Sequence, residues 1–131
     1  MTKQWPIKSH SVDIALDIFC FTHQTDIKDV EFYKRELKRI LKPSGLLVLS
    51  LASIKDTYYG TLPKVKIKKD VFKVTDPKIN VRCFLYTKEG LIKEFHKNFK
   101  LLDFIETKKV GLMHGKKYKR VTLKFLFEKK S

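Results

Sequence analysis

Residues 11–51 read SVDIALDIFCFTHQTDIKDVEFYKRELKRILKPSGLLVLSL, and this stretch decides the fold. Residues 12–21 are almost continuously apolar, broken only by Asp13 and Asp17, as suits a strand covered on both faces. Residues 46–51 form a second such run. Between them Ile27, Val30, Tyr33, Leu37, Ile40 and Leu41 recur at spacings of three and four, the stripe of an amphipathic helix. Asp26 is a good N-cap, and Asp29 and Glu31 lie near the positive end of the helix dipole. Arg39 and Lys42 occupy its negative end, and Glu31 and Arg35 are spaced for an i,i+4 ion pair. Pro43 stops the helix, and Lys42-Pro43-Ser44-Gly45 carries a type I turn signature. Strand, helix, turn and strand make one βαβ unit with parallel strands.

Working outward, residues 1–10 (MTKQWPIKSH) are a polar, extended lead-in, since Pro6 fixes its own φ and biases Trp5 away from helix. Residues 52–80 lose the strong pattern. Their mix of aromatics, lysines and short alternations (Val65, Ile67) suggests a lid or insertion carrying a short hairpin, within a single domain spanning residues 1–131. Loops above the carboxyl ends of parallel strands are where such folds place substrate contacts. Residues 81–86 resume a strand. Thr87 caps a second helix carrying Leu91, Ile92, Phe95 and Phe99, weakened by Gly90 in its first turn. Residues 101–110 are strand-like, and Gly111 and Gly115 bracket a turn. Val121, Leu123, Phe125 and Phe127 then alternate with Thr122, Lys124, Leu126 and Glu128, the period of a strand hairpinning back antiparallel. The order is β-α-β-lid-α-β-β, an α/β fold.

The formal net charge is +15, from 29 Lys and Arg against 14 Asp and Glu. A basic excess of this size fits either a lysine-rich solvated surface or binding to nucleic acid or another anionic partner. The densest cluster, His114-Gly115-Lys116-Lys117-Tyr118-Lys119-Arg120, sets an aromatic ring among cations and could stack on a base. A charged loop joining two strands is the other reading of it. The run 64–73 has the same two readings, phosphate contact or solvated strand face. Cys20 and Cys83 both lie in apolar runs without a CxxC, which suggests buried, inert thiols in a reducing compartment. Histidines 10, 23, 96 and 114 show no metal-ligand spacing, so no metal is expected. No apolar run approaches the length of a membrane span and no signal-peptide pattern is present, so a cytoplasmic location without membrane association is expected.

Three segments together resemble the C-terminal half of a class I S-adenosylmethionine-dependent methyltransferase. Residues 11–17, SVDIALD, resemble that family's fourth strand, with Trp5-Pro6-Ile7 resembling the short motif ahead of it. Residues 36–50, ELKRILKPSGLLVLS, resemble its "E..RVLKPGGLLVLS" phrase, and Tyr86-Thr87-Lys88-Glu89-Gly90-Leu91 with Asn98-Phe99 resembles the helix before its sixth strand. Ser44 stands where the family has the first glycine of Pro-Gly-Gly, a change that a type I turn tolerates. The resemblance implies a partial Rossmann-like methyltransferase sheet, strands 4-5-7-6 of the family with the last strand antiparallel, and flanking helices. The family's glycine-rich cofactor loop and acidic ribose partner have no counterpart, since none of the five glycines are spaced i,i+2.

On that resemblance the function is methyl transfer from S-adenosylmethionine by a partial or split enzyme, with this chain as the substrate-side half. The cofactor-side residues are then Asp17, Ile18 and Phe19, and the substrate-side candidates His23, Tyr58 and Tyr59. Asp17 is read either as facing the crevice or as a carboxylate capping the strand end. The partner is a cofactor-binding half-chain, or a second copy paired through the edge strand 12–21, because a bare apolar edge recruits other chains. The other function class is a non-catalytic basic module on a degenerate methyltransferase fold, gripping nucleic acid or an acidic protein through His114, Lys116, Lys117, Tyr118, Lys119 and Arg120.

Overall fold

A computed structural model describes residues 3–130; Met1 and Thr2 of the lead-in, and Ser131, lie outside the described residues. The main sheet has four strands in the order β1-β2-β7-β6. Strand β1 (Val12–Ile18) runs parallel to β2 (Leu41–Ala52), β2 antiparallel to β7 (Lys116–Lys129), and β7 antiparallel to β6 (Phe99–Met113). This is the 4-5-7-6 arrangement expected from the sequence, with the last strand reversed.

Two helices cover one face of that sheet. Helix α1 (Ile27–Ile40) is capped by Asp26, whose carboxylate accepts from the Lys28 N–H. Helix α2 (Lys88–Phe95) is capped by Thr87, whose hydroxyl accepts from the Gly90 N–H. Val30, Tyr33 and Leu37 of α1 and Leu91 and Phe95 of α2 meet Leu47, Leu49 and Leu51 of β2 and Leu123, Phe125 and Phe127 of β7 in one core. Each of those eleven side chains is 5% exposed or less. Period-two alternation on the strands and the helical stripes therefore converge on the same face.

A second, antiparallel sheet, β3 (Val65–Lys68), β4 (Val71–Asp76) and β5 (Val81–Tyr86), sits after β2 and reaches the core through Val71, Phe84 and Tyr86. Its β3–β4 turn rests on α2. A Cβ on Gly90 would lie 2.6 Å from the Asp70 carbonyl oxygen, so the glycine that weakens the helix is the one that lets this turn approach.

The structure corrects several sequence expectations. The first strand ends at Ile18 rather than residue 21, because Phe19 adopts φ +58. It is also not covered on both faces: Ile14, Leu16 and Ile18 are 54%, 71% and 66% exposed. Cys20 is exposed, not buried in a strand. Ile27 lies at the margin of its helix stripe and is exposed, whereas Phe32 is buried. Glu31 pairs with Lys34 at 3.0 Å instead of Arg35, which lies over the Phe32 ring. Ser44 has φ +64, which a type I turn does not contain; Pro43 followed by positive φ is a type II pattern. Ser44 is therefore strained where glycine would not be. Its neighbour must be glycine for a separate reason, since a Cβ on Gly45 would meet the Lys42 carbonyl oxygen at 2.8 Å and the Asp13 carbonyl oxygen at 3.3 Å.

The lead-in belongs to α1. Glu36, buried in that helix, accepts from the Trp5 N–H at 2.7 Å and from Arg39, and Arg39 donates onward to the carbonyls of Trp5 and Ile7. Trp5 stands edge-on to Tyr33. These contacts hold the lead-in to the helix, and among the described residues β1 pairs only with β2.

Candidate functional site

The carboxyl ends of β1 and β2 open into a cleft of about 530 Å³, in the size range of small-molecule sites. Ile18, Phe19 and His23 form the wall nearest β1, and Ser50 and Ala52 of β2 form the floor. Tyr59 and Cys83 close it from the side of the second sheet. Thr107, Lys109, Arg120, Thr122 and Lys124, on the outward face of the β6–β7 hairpin, form the far wall.

The β1 wall is shaped by one carboxylate. Asp17 is 4% exposed, and its Oδ1 accepts from the N–H groups of Cys20 at 2.9 Å and Phe21 at 3.2 Å. These bonds fold the chain back at the strand end, while the Phe19 N–H donates to the Ser50 carbonyl at 2.9 Å. The turn they hold puts Phe19 in the left-handed region, a rare conformation for a bulky residue. Burial pushes the Asp17 carboxyl above its ordinary range, against the lowering effect of the two N–H groups and of His23. Its Oδ2 is buried without a hydrogen-bond partner among the described residues.

His23 follows in a short 3-10 turn, Phe21–His23. Its Nδ1 lies 3.2 Å from the Arg82 carbonyl oxygen. A carbonyl only accepts, so Nδ1 carries a proton, and Nε2 is the ring nitrogen left outside that bond. Thr22 beside it donates to the Phe84 carbonyl at 2.6 Å. The Cys83 thiol is pushed up to about 11 by burial, which leaves it protonated and unreactive at neutral pH.

Two buried carboxylates anchor the far wall. Asp56 Oδ1 accepts from Arg120 Nε at 2.7 Å and the Val121 N–H at 2.9 Å, and its Oδ2 from the N–H groups of Tyr58 and Tyr59. Asp76 accepts from the Tyr58 hydroxyl at 2.7 Å and meets His114 Nε2 at 3.0 Å. Burial alone would raise the Asp76 carboxyl, but His114 and Tyr58 outweigh it and hold it below its usual range. His114 and Gly115 have φ +52 and +80, the type I′ pattern of a two-residue hairpin turn. Tyr58 packs edge-on against Tyr118 at 5.0 Å.

The sequence candidates thus separate. Ile18, Phe19, His23 and Tyr59 come together around the one cleft. Asp17 does not line it but builds the turn beneath it, and Tyr58 lies buried behind it. In the basic cluster His114, Tyr118 and Arg120 are engaged by Asp76, Tyr58 and Asp56, leaving Lys116, Lys117 and Lys119 exposed at the hairpin. Ser50, Thr107, Lys109, Thr122 and Lys124 escaped the sequence reading. The alternation along 121–128 marks Thr122 and Lys124 as facing away from the core. Only the hairpin register, Thr107 opposite Thr122 and Lys109 opposite Arg120, turns that outward row into a wall. Among the described residues no three His, Cys, Asp or Glu side chains come together as metal ligands.

No protein-family model matches the sequence, and no curated protein matches it. Solved structures do match. A SAM-dependent methyltransferase from Methanosarcina mazei superposes with a TM-score of 0.73 at 18% identity, over 96% of this chain and 63% of that one. The Burkholderia thailandensis 1,6-didemethyltoxoflavin-N1-methyltransferase, solved with 1,6-didemethyltoxoflavin and S-adenosylhomocysteine, gives 0.64 at 16% identity over 94% and 46%. An S-adenosylmethionine-dependent methyltransferase from Clostridium acetobutylicum gives 0.56 at 17% over 93% and 60%. The chain therefore spans less than two thirds of the length of each of these structures. Nearly all of it, from β1 to the β6–β7 hairpin, has part of the fold of S-adenosylmethionine-dependent methyltransferases.

Proposed function

We propose that this chain is the substrate-side half of an S-adenosylmethionine-dependent methyltransferase, and that a cofactor-binding half pairs along β1. The observation that carries this reading is the cleft at the carboxyl ends of two parallel strands, where open α/β sheets bind ligands, beside a strand whose outer edge is unpaired among the described residues. Ile14, Leu16 and Ile18 expose an apolar row on that edge strand, with no lysine or proline guarding it. The chain's own residues fit the boundary between cofactor and acceptor: Ile18 and Phe19 offer apolar surface where the methyl-bearing end of the cofactor would meet the acceptor, and the buried Asp17 fixes their turn. When bound, the cofactor supplies the activated methyl group. The chain's part is to seat the acceptor between the β1 wall and the hairpin, with Tyr59 and Cys83 limiting water. His23, with Nδ1 held by the Arg82 carbonyl, presents Nε2 as the group that takes the acceptor's proton.

Affinity capture of the tagged chain from its own cells, followed by calorimetric titration with S-adenosylhomocysteine, tests the reading. The captured assembly binds the ligand with micromolar or tighter affinity and the isolated chain binds weakly or not at all. Capture of the chain by itself, with no ligand binding in either form, overturns it. Engagement of three residues of the basic cluster in intramolecular contacts favours this reading over a nucleic-acid grip through that cluster.

A further inference from the structure

The far wall of the cleft carries two lysines that no carboxylate opposes among the described residues. On the outward face of the hairpin three cross-strand pairs follow one another: Lys109 opposite Arg120, Thr107 opposite Thr122, and Ile105 opposite Lys124. Like charges set directly opposite destabilise a sheet. Arg120 is neutralised by the buried Asp56. Among the described residues Lys109 and Lys124 have no carboxylate within ion-pair distance, and no Asp or Glu lines the cleft. At about 3.3 Å per residue the two lysines stand roughly 13 Å apart along the strands, near enough for both flexible side chains to lean over the threonine pair between them.

The opposite wall is apolar and strained. Phe19 is held at φ +58 by the Asp17 turn, with its ring 42% exposed at the cleft. A left-handed non-glycine residue is strained, and such strain concentrates at ligand sites. We infer that the cleft takes a small organic anion, its ring or apolar body against Phe19 and Ile18 and its phosphate or carboxylate between Lys109 and Lys124, on the Thr107 and Thr122 hydroxyls. This rests on reading the cleft as the acceptor side of the methyltransferase and names the class of acceptor. Its test needs neither cofactor nor partner, so the two readings fail separately.

Amide chemical shifts of the free protein at low ionic strength, where exposed charges are least screened, are followed against phenyl phosphate, phenylacetate and benzyl alcohol. Either anion, or both, moves the amides of Thr107, Gly111 and Thr122, and the response of one over the other separates a phosphate from a carboxylate site. Benzyl alcohol binds at least tenfold more weakly. The Lys109→Gln/Lys124→Gln variant, altered only at exposed positions, loses at least tenfold in anion affinity and keeps its wild-type spectrum elsewhere. Phe19→Gly, which releases the positive φ, keeps the fold and weakens all three probes. Equal binding of the neutral probe, unchanged affinity in the lysine variant, no binding of either anion, or shifts confined to residues 116–119 overturns the inference.

Discussion

The two faces of the four-stranded sheet differ more than any other pair of regions in this molecule. On the face under α1 and α2, Leu47, Leu49, Leu51, Phe125 and Phe127 are 0–1% exposed, and the rings stack on one another, Phe125 against Phe127 at 5.7 Å. On the other face, along the two outer strands β1 and β6, Ile14, Leu16, Ile18 and Ile105 are all more than half exposed. Both rows are apolar, so side-chain type does not explain the difference. The chain's own helices cover one face, and the other ends in the cleft and the free edge of β1. An open apolar row beside a cleft marks a surface for binding, whereas the covered row holds the fold.

Mutations on the two faces sharpen that contrast. Leu49→Ala leaves a cavity in the centre of the covered face and lowers unfolding free energy by about 2–5 kcal/mol in urea titrations. Leu16→Ser on the open face changes it by less than about 0.5 kcal/mol in the isolated chain, while abolishing capture of the partner half. A large stability loss in the second variant would mean that the open face is covered by the chain itself.

Acid acts through the buried carboxylates. Hydrogen bonds from Arg39 hold Glu36 below its ordinary value, and Lys68 and Lys34 outweigh burial to do the same for Glu94; Asp76 is depressed likewise. A carboxylate whose folded pKa is depressed binds protons more readily when unfolded. Its stabilisation is present above its unfolded value and is lost as pH falls through the folded one. Stability therefore holds above about pH 5 and declines below about pH 4, followed by thermal melts across that range. Asp17, shifted upward, has the opposite sign, so Asp17→Asn steepens the acid decline.

The smallest effect falls on the turn around Ser44, where the chain leaves α1 for β2. Ser44→Gly removes a positive-φ penalty and raises the melting temperature, corresponding to roughly 0.5–1 kcal/mol after the entropy glycine adds to the unfolded chain. A destabilised Ser44→Gly would show that the Ser44 side chain makes up for its backbone.

Sequence alone determined the parts whose signals are local or periodic. The Asp26 and Thr87 caps, the stripe through Val30, Tyr33 and Leu37, and the alternation from Val121 to Phe127 each need only nearest neighbours to be legible, because helix and strand periods are written within one segment. The order and direction of the four main strands were implied by the resemblance of three segments, LKPSGLLVLS among them, to S-adenosylmethionine-dependent methyltransferases. Tertiary structure decided the rest. Residues 12–18 put Ile14, Leu16 and Ile18 on one face and Asp13, Ala15 and Asp17 on the other, and which face is covered depends on where α1 and α2 come to lie. The cleft could not be read either: Lys109 and Thr107 meet Arg120 and Thr122 only through the register of a long hairpin, and sequence spacing does not encode a pairing across strands. Asp56 and Asp76 look like loop carboxylates in the sequence. They become the buried anchors of Arg120 and His114 because folding removes them from water, and a carboxylate without water must find donors.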